Sequence, residues 1–175
     1  MTAVGEAMII DAVDQADIPV AKVLRAEIFR RHVNFRVSHV FIFNSRGELL
    51  IQRLALKRDR NPGAWGSSVA AYLFSDEHYE QAARRRVTQE LGIADFGLAY
   101  VGKTEMFDDG CLKFISLFES LHEGPFKPDP SQIDQLEFVP IDGIVSMLKS
   151  ASRTFTPTFV RVFEFYYPFW LARSK

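Results

Sequence analysis

The chain has 175 residues, 47% of them hydrophobic, enough apolar material to fill the core of one ordinary globular domain. Its 21 basic and 22 acidic side chains leave a net charge of −1, which gives no general electrostatic pull towards nucleic acid or an anionic membrane. The single cysteine, Cys111, excludes an internal disulfide and a cysteine-based zinc finger, and points to a reducing cytoplasm.

The opening stretch carries neither a basic start nor an apolar run long enough for a signal peptide, and no stretch approaches the ~20 apolar residues of a membrane span. Met8 to Val13 reads as a strand, residues 14–17 as a turn and Ile18 to Leu24 as a return strand, with Pro19 marking it as an edge. Arg25 to Arg31 reads as a short helix. Phe35 to Phe43 is too apolar for a half-exposed strand and is expected at the centre of a sheet. The turn residues 44–47 then lead into a hairpin partner, Glu48 to Leu54. His32 and His39 lie beside or within the apolar strand, where a histidine is more often a satisfied core group than a metal ligand.

The next segment, residues 52–65, gathers Arg53, Lys57, Arg58 and Arg60 around a Pro62-Gly63 turn that ends at Trp65. A basic cluster of this kind suits phosphate groups, and equally suits a solvated loop. Gly66 to Leu73 reads as a strand running into an amphipathic helix. Ser75 is the expected N-cap, with Asp76 and Glu77 in the first turn. Tyr79, Ala83, Val87 and Leu91 form the helix's apolar stripe, and Gly92 ends it.

Two strands follow, Phe96 to Phe107 and Cys111 to Leu121, joined at Asp108-Asp109-Gly110. That aspartate pair is better explained as a turn than as a cation site. Pro140 to Lys149 has a helical apolar face made by Ile141, Ile144, Val145 and Leu148. A last helix starts with Thr156 as N-cap and Pro157 at its first position, and is rich in aromatics that belong mostly to the core. This helix and the N-terminal hairpin are the candidate contacts for a homodimer.

The spacing from Ala71 to Ile93 resembles the Nudix box, G-x5-E-x7-R-E-U-x-E-E-x-G-U with U a bulky aliphatic. Glu77, Arg85, Glu90, Gly92 and Ile93 match it. The resemblance extends over about residues 8 to 170, through Gln52-Arg53, Pro62-Gly63-Ala64-Trp65 and Phe155-Thr156-Pro157. It implies an α/β fold, a Nudix-type α/β/α sandwich around a mixed sheet, in one domain over 1–175 with an N-terminal extension over 1–31 and a core over 32–175. It also implies hydrolysis of a nucleoside diphosphate linked to another group, or of another diphosphate, with Mg2+ or Mn2+. In that reading Glu90 is the surviving metal ligand, Glu77 assists it and Arg85 orients the box loop. Arg53, Lys57 and Trp65 hold the substrate.

The departures from the pattern bear on the chemistry. Positions 86, 89 and 90 share one helical face and are normally all Glu in the family; here they are Arg86, Gln89 and Glu90, and the box glycine is Ala71. One unit-charge pair at ~4 Å and an effective dielectric of ~20 contributes about 4 kcal/mol, so a dication would lose two such attractions and meet a cation. The acidic residue that typically opens a later helix is Gln132, which cannot serve as a base. The N-terminal order of strand, Asp-turn, strand, R-x-E and basic-His resembles the extension of one subgroup of the superfamily, which contains isopentenyl-diphosphate isomerase and related hydrolases. Its catalytic Cys and metal-binding His are replaced by Ala70 and Tyr72, so isomerase activity by that mechanism is rejected. Two expectations follow: a weak or inactive hydrolase, or a module that binds a phosphorylated metabolite or a protein partner, with Arg86 supplying the counter-charge to phosphate.

Overall fold

Alternation along one strand sets the architecture. In a strand, successive side chains point to opposite faces, and in β3 (Phe35–Phe43) both faces are buried. Phe35, Val37, Phe41 and Phe43 enter one apolar cluster, while Val40 and Ile42 enter another. The computed structural model, which describes residues 8–174, places β3 in the middle of a seven-stranded mixed sheet. β8 (Cys111–Leu121) runs parallel to it along the full register from Phe35↔Lys113 to Phe43↔Leu121. On the other edge it meets β4 (Leu49–Leu54) at Phe43↔Leu49 and β6 (Val69–Tyr72) further along, both antiparallel.

The first cluster is covered by α3 (Ile141–Ser150) and α4 (Pro157–Arg173), the second by α2 (Tyr79–Leu91). This is the expected α/β/α sandwich. The Thr156 side chain accepts a hydrogen bond from the Phe159 backbone N–H at 3.1 Å, capping α4 as its sequence implies. Phe159, Val162, Phe163 and Tyr166 of α4 are buried, so most of its aromatic content is core.

Three expectations change. The segment expected as one strand over 66–73 is split into β5 (Trp65–Gly66), paired with β4, and β6, paired with β3. Ser68 makes the crossing possible without losing backbone bonds: its hydroxyl donates to Leu50 O at 2.5 Å and accepts from Ile42 N at 2.8 Å. Secondly, Gln132 does not open a helix. It precedes β9 (Ile133–Val139), which covers the remaining edge of β4 from Leu54↔Ile133 to Leu49↔Val139.

The third change concerns the start of α2. Ser75 is not its N-cap; the helix begins at Tyr79 after His78, whose backbone N–H donates to the Gln81 side chain at 2.8 Å. Residues 75–77 are instead tied to the N-terminal hairpin of β1 (Ile9–Val13) and β2 (Pro19–Leu24). Asp11 accepts from the Ser75 hydroxyl at 2.8 Å and from Asp76 N at 2.9 Å, and Ser75 N donates to Ile9 O at 2.9 Å. Asp76 sits at φ 66°, a left-handed conformation that no helical turn contains. Between the hairpin and β3, a 3-10 turn over Arg25–Glu27 and α1 (Ile28–Arg31) fill the expected short helix. The pair β7 (Ala99–Asp108) and β8 closes at the Asp108-Asp109-Gly110 turn. Among the described residues no helix is long and apolar enough to cross a membrane.

Candidate functional site at the C-terminal half of the box helix

Helical spacing puts Arg86 and Glu90 one turn apart on the same face. Arg86 Nη2 lies 2.6 Å from Glu90 Oε1. The same oxygen lies 3.9 Å from Arg58 Nη1, contributed by the basic loop after β4. Glu90 is only 1% exposed, and its Oε2 accepts from Gln52 Nε2 at 3.3 Å. Burial pushes the Glu90 carboxyl above the ordinary carboxylate range, opposed by the Arg86 and Arg58 guanidiniums. Burial likewise lowers the pKa of Arg58, with Glu90 acting against it.

The loop over 127–132 closes on the C-terminal end of α2: Lys127 N donates to Leu91 O at 2.8 Å and Asp129 N to Glu90 O at 2.9 Å. It brings Gln132 Oε1 within 3.0 Å of Arg86 Nη2. Arg86, Glu90 and Gln132, far apart in the chain, therefore meet in one place, with Arg58 and Gln52 beside them. Gln52 belongs to the matched Gln52-Arg53 pair, but Arg58 carries no marker in the sequence that separates it from its neighbours in the basic loop; only the fold brings both to Glu90.

The N-terminal half of α2 is built differently. Arg85 clasps Glu77 through Nε at 2.7 Å and Nη2 at 2.8 Å. The same Nη2 donates to Tyr72 O at 2.9 Å, and the guanidinium lies 3.8 Å over the Phe74 ring. Glu77 in turn accepts from Phe74 N at 2.8 Å. These contacts fix the turn between β6 and α2. They engage Glu77 with Arg85 rather than with Glu90. Gln89, exposed, accepts from Arg85 Nη1 at 3.3 Å and stands apart from the Glu90 cluster.

Of the expected substrate-holding residues, Arg53 lies 3.4 Å from Asp134 with 38% of its side chain exposed, and Lys57 is exposed. Trp65 is 8% exposed within the larger apolar cluster, its backbone bridges to Phe155, and Arg153 lies 4.4 Å over its ring. Arg60 leaves the basic cluster, pairing with Asp108 at 2.8 Å and Asp109 at 3.1 Å. His39 is buried and shares a 2.7 Å hydrogen bond between its Nδ1 and the Ser67 hydroxyl.

A hard divalent cation needs several oxygen donors, with carboxylates foremost. Glu90 offers one, already facing two guanidiniums. Asp108 is paired with Arg60 and Lys113, and Asp134 with Arg53. Among the described residues no group of three or more His, Cys, Asp or Glu could hold a metal. The residues around Glu90 do not fit a resident dication.

Sandwich, box helix and Arg85–Glu77 clasp together define a class. The NUDIX domain family model matches residues 33–159, and the chain belongs to the Nudix family. It is 26% identical to an uncharacterized Nudix hydrolase of Yersinia pestis over 166 residues, covering 95% of this chain and 87% of the relative. It is 33% identical over 110 residues to an isopentenyl-diphosphate Delta-isomerase of Streptomyces avermitilis, covering 59% of this chain and 56% of that one. A crystal structure from Deinococcus radiodurans superimposes with a TM-score of 0.79 at 22% identity, covering 89% of this chain and 97% of that one. Nudix hydrolases act on phosphorylated small molecules and generally use divalent cations.

Proposed function

We propose that this chain binds a small molecule carrying a diphosphate, a nucleoside diphosphate linked to another group, at the C-terminal half of α2, and hydrolyses it weakly or not at all. The carrying observation is the Arg86–Glu90 contact at 2.6 Å: the one box carboxylate left for a metal is occupied by a cation from the same helix. The exposed Lys57, one residue before Arg58 in the basic loop, supports an anionic ligand. The site also lacks a base where Gln132 stands. A buried free cysteine agrees with a cytoplasmic setting, and a net charge of −1 argues against nucleic acid as the partner.

The second reading is a working hydrolase with Mg2+ or Mn2+, favoured by the intact Arg85–Glu77 clasp that shapes the box loop. Calorimetric titration with a nucleoside diphosphate sugar, beside an assay for its cleavage with Mn2+, separates the two. The binding reading expects heat of binding without turnover. Turnover at rates typical of an enzyme, on the order of 1–1,000 per second, would replace it with the hydrolase reading.

A further inference from the structure

We infer that Arg86 and Arg58 form a guanidinium pair, positioned by Glu90, that grips the ligand's diphosphate directly where the family places a divalent cation. The inference rests on the diphosphate-binding reading above and assigns the groups that do the binding.

Two cations converge on one carboxylate oxygen, at 2.6 and 3.9 Å, so the cluster carries a formal surplus of one positive charge next to a buried wall. Both arginine side chains keep a window to solvent: they are 22% and 25% exposed against 1% for Glu90. The contacts of Arg86 to Glu90 and to Gln132 both run through Nη2. A guanidinium has five N–H donors in a flat fork, so donors remain for a phosphate, which such a fork meets with two parallel bonds. Gln132 is a better neighbour for this arrangement than Glu. It accepts from Arg86 without adding a second negative charge beside the incoming anion.

In this arrangement Glu90 has the opposite role from a metal ligand. A ligand carboxylate raises affinity for a metal-bound diphosphate. A positioning carboxylate holds the guanidiniums in place but repels the diphosphate. Neutralising it therefore changes sign between the two cases.

The test uses calorimetry with inorganic pyrophosphate and with ADP, in excess chelator and again with Mg2+, on the wild type, Glu90→Gln, Arg86→Gln and Arg58→Gln. Circular dichroism and a melting curve check that each variant is folded. Expected is pyrophosphate and ADP binding by the wild type in chelator. Arg86→Gln weakens it on the order of tenfold or more, through the loss of a bidentate charged contact. Glu90→Gln strengthens it by up to about tenfold, through removal of a nearby negative charge. If Glu90→Gln does not fold, the two arginine variants carry the test alone, since a guanidinium clamp requires both to weaken binding without metal. Binding that needs Mg2+ and is abolished in Glu90→Gln would overturn the clamp while leaving the diphosphate-binding reading standing. Absence of binding by the wild type under both conditions would overturn both.

Discussion

Arg85 holds both carboxylate oxygens of Glu77, at 2.7 and 2.8 Å, across the turn that launches the box helix. Both side chains are mostly buried, 19% and 12% exposed. Removing one partner of such a pair leaves the other charged and unsatisfied, so Arg85→Ala should cost about 3 kcal/mol of stability. Arg85→Lys should recover only part of it, because an ammonium cannot span Glu77, Tyr72 O and the Phe74 face at once. Urea unfolding of Arg85→Ala, Glu77→Ala and the double variant measures this. Strictly additive losses would show that the two residues act independently.

The same clasp shows what a sequence reader can and cannot see. Glu77 and Arg85 are legible because a fixed spacing marks them, and β3, β8 and the stripe of α2 because apolar periodicity marks them. The start of α2 is not legible. Ser75-Asp76-Glu77 has the composition of a helix cap, and only Asp11, 64 residues earlier, redirects it into a turn. β9 is missed for a related reason: Ile133 to Val139 has no strict alternation, since a register shift at Arg53/Leu54 of its partner offsets the pattern. Arg86 and Gln89 stand out as departures from the box, and Gln132 from a later acidic position, by position alone. Gln89 meets Arg85 by helical spacing, whereas Gln132 reaches Arg86 only because the loop over 127–132 folds back on α2.

Trp65 tests whether burial in the core keeps a side chain from the ligand. Its side chain belongs to the larger apolar cluster, and Arg153 lies 4.4 Å over its ring. Trp65→Ala should cost about 3–5 kcal/mol, the range for deleting a buried aromatic. Trp65→Phe should cost less, and at a temperature where it is fully folded it should bind ADP as the wild type does. A loss of affinity in folded Trp65→Phe, with stability unchanged, would place Trp65 in the ligand site.

Restoring the box carboxylates is a test of the charge argument. In Arg86→Glu with Gln89→Glu and Gln132→Glu, the face that now sums to zero at positions 86, 89 and 90 becomes three carboxylates, joined by a fourth across the loop. Gln132 is within reach of residue 86, as its 3.0 Å contact to Arg86 shows. Mn2+ uptake by calorimetry should appear in the triple variant and be absent, or far weaker, in the wild type. The gain should be accompanied by loss of metal-free pyrophosphate binding. A triple variant that is folded and still takes up no metal would mean that the turn geometry, and not charge, governs the site.

His39 makes stability depend on pH in a window of its own. Burial, with Lys113 adding to it, lowers the imidazole from 6.5 to about 3, so the folded chain keeps it neutral. Between those values the unfolded chain binds a proton that the folded chain refuses, and stability therefore rises with pH across the window. Each pH unit below 6.5 should remove about 1.4 kcal/mol, or about 2 kcal/mol by pH ~5. Glu90 has the opposite slope, because burial raises its pKa and the folded chain then holds the extra proton. Comparing wild type with His39→Gln at each pH cancels that contribution. Gln keeps a polar group beside Ser67, whose hydroxyl meets His39 Nδ1 at 2.7 Å. Urea midpoints from pH ~7.5 down to ~5 should fall more steeply for wild type than for His39→Gln, the gap narrowing by about 2 kcal/mol. Parallel curves would mean that the imidazole takes up its proton inside the folded protein, and that the sheet opens enough at Ser67 to let water reach it.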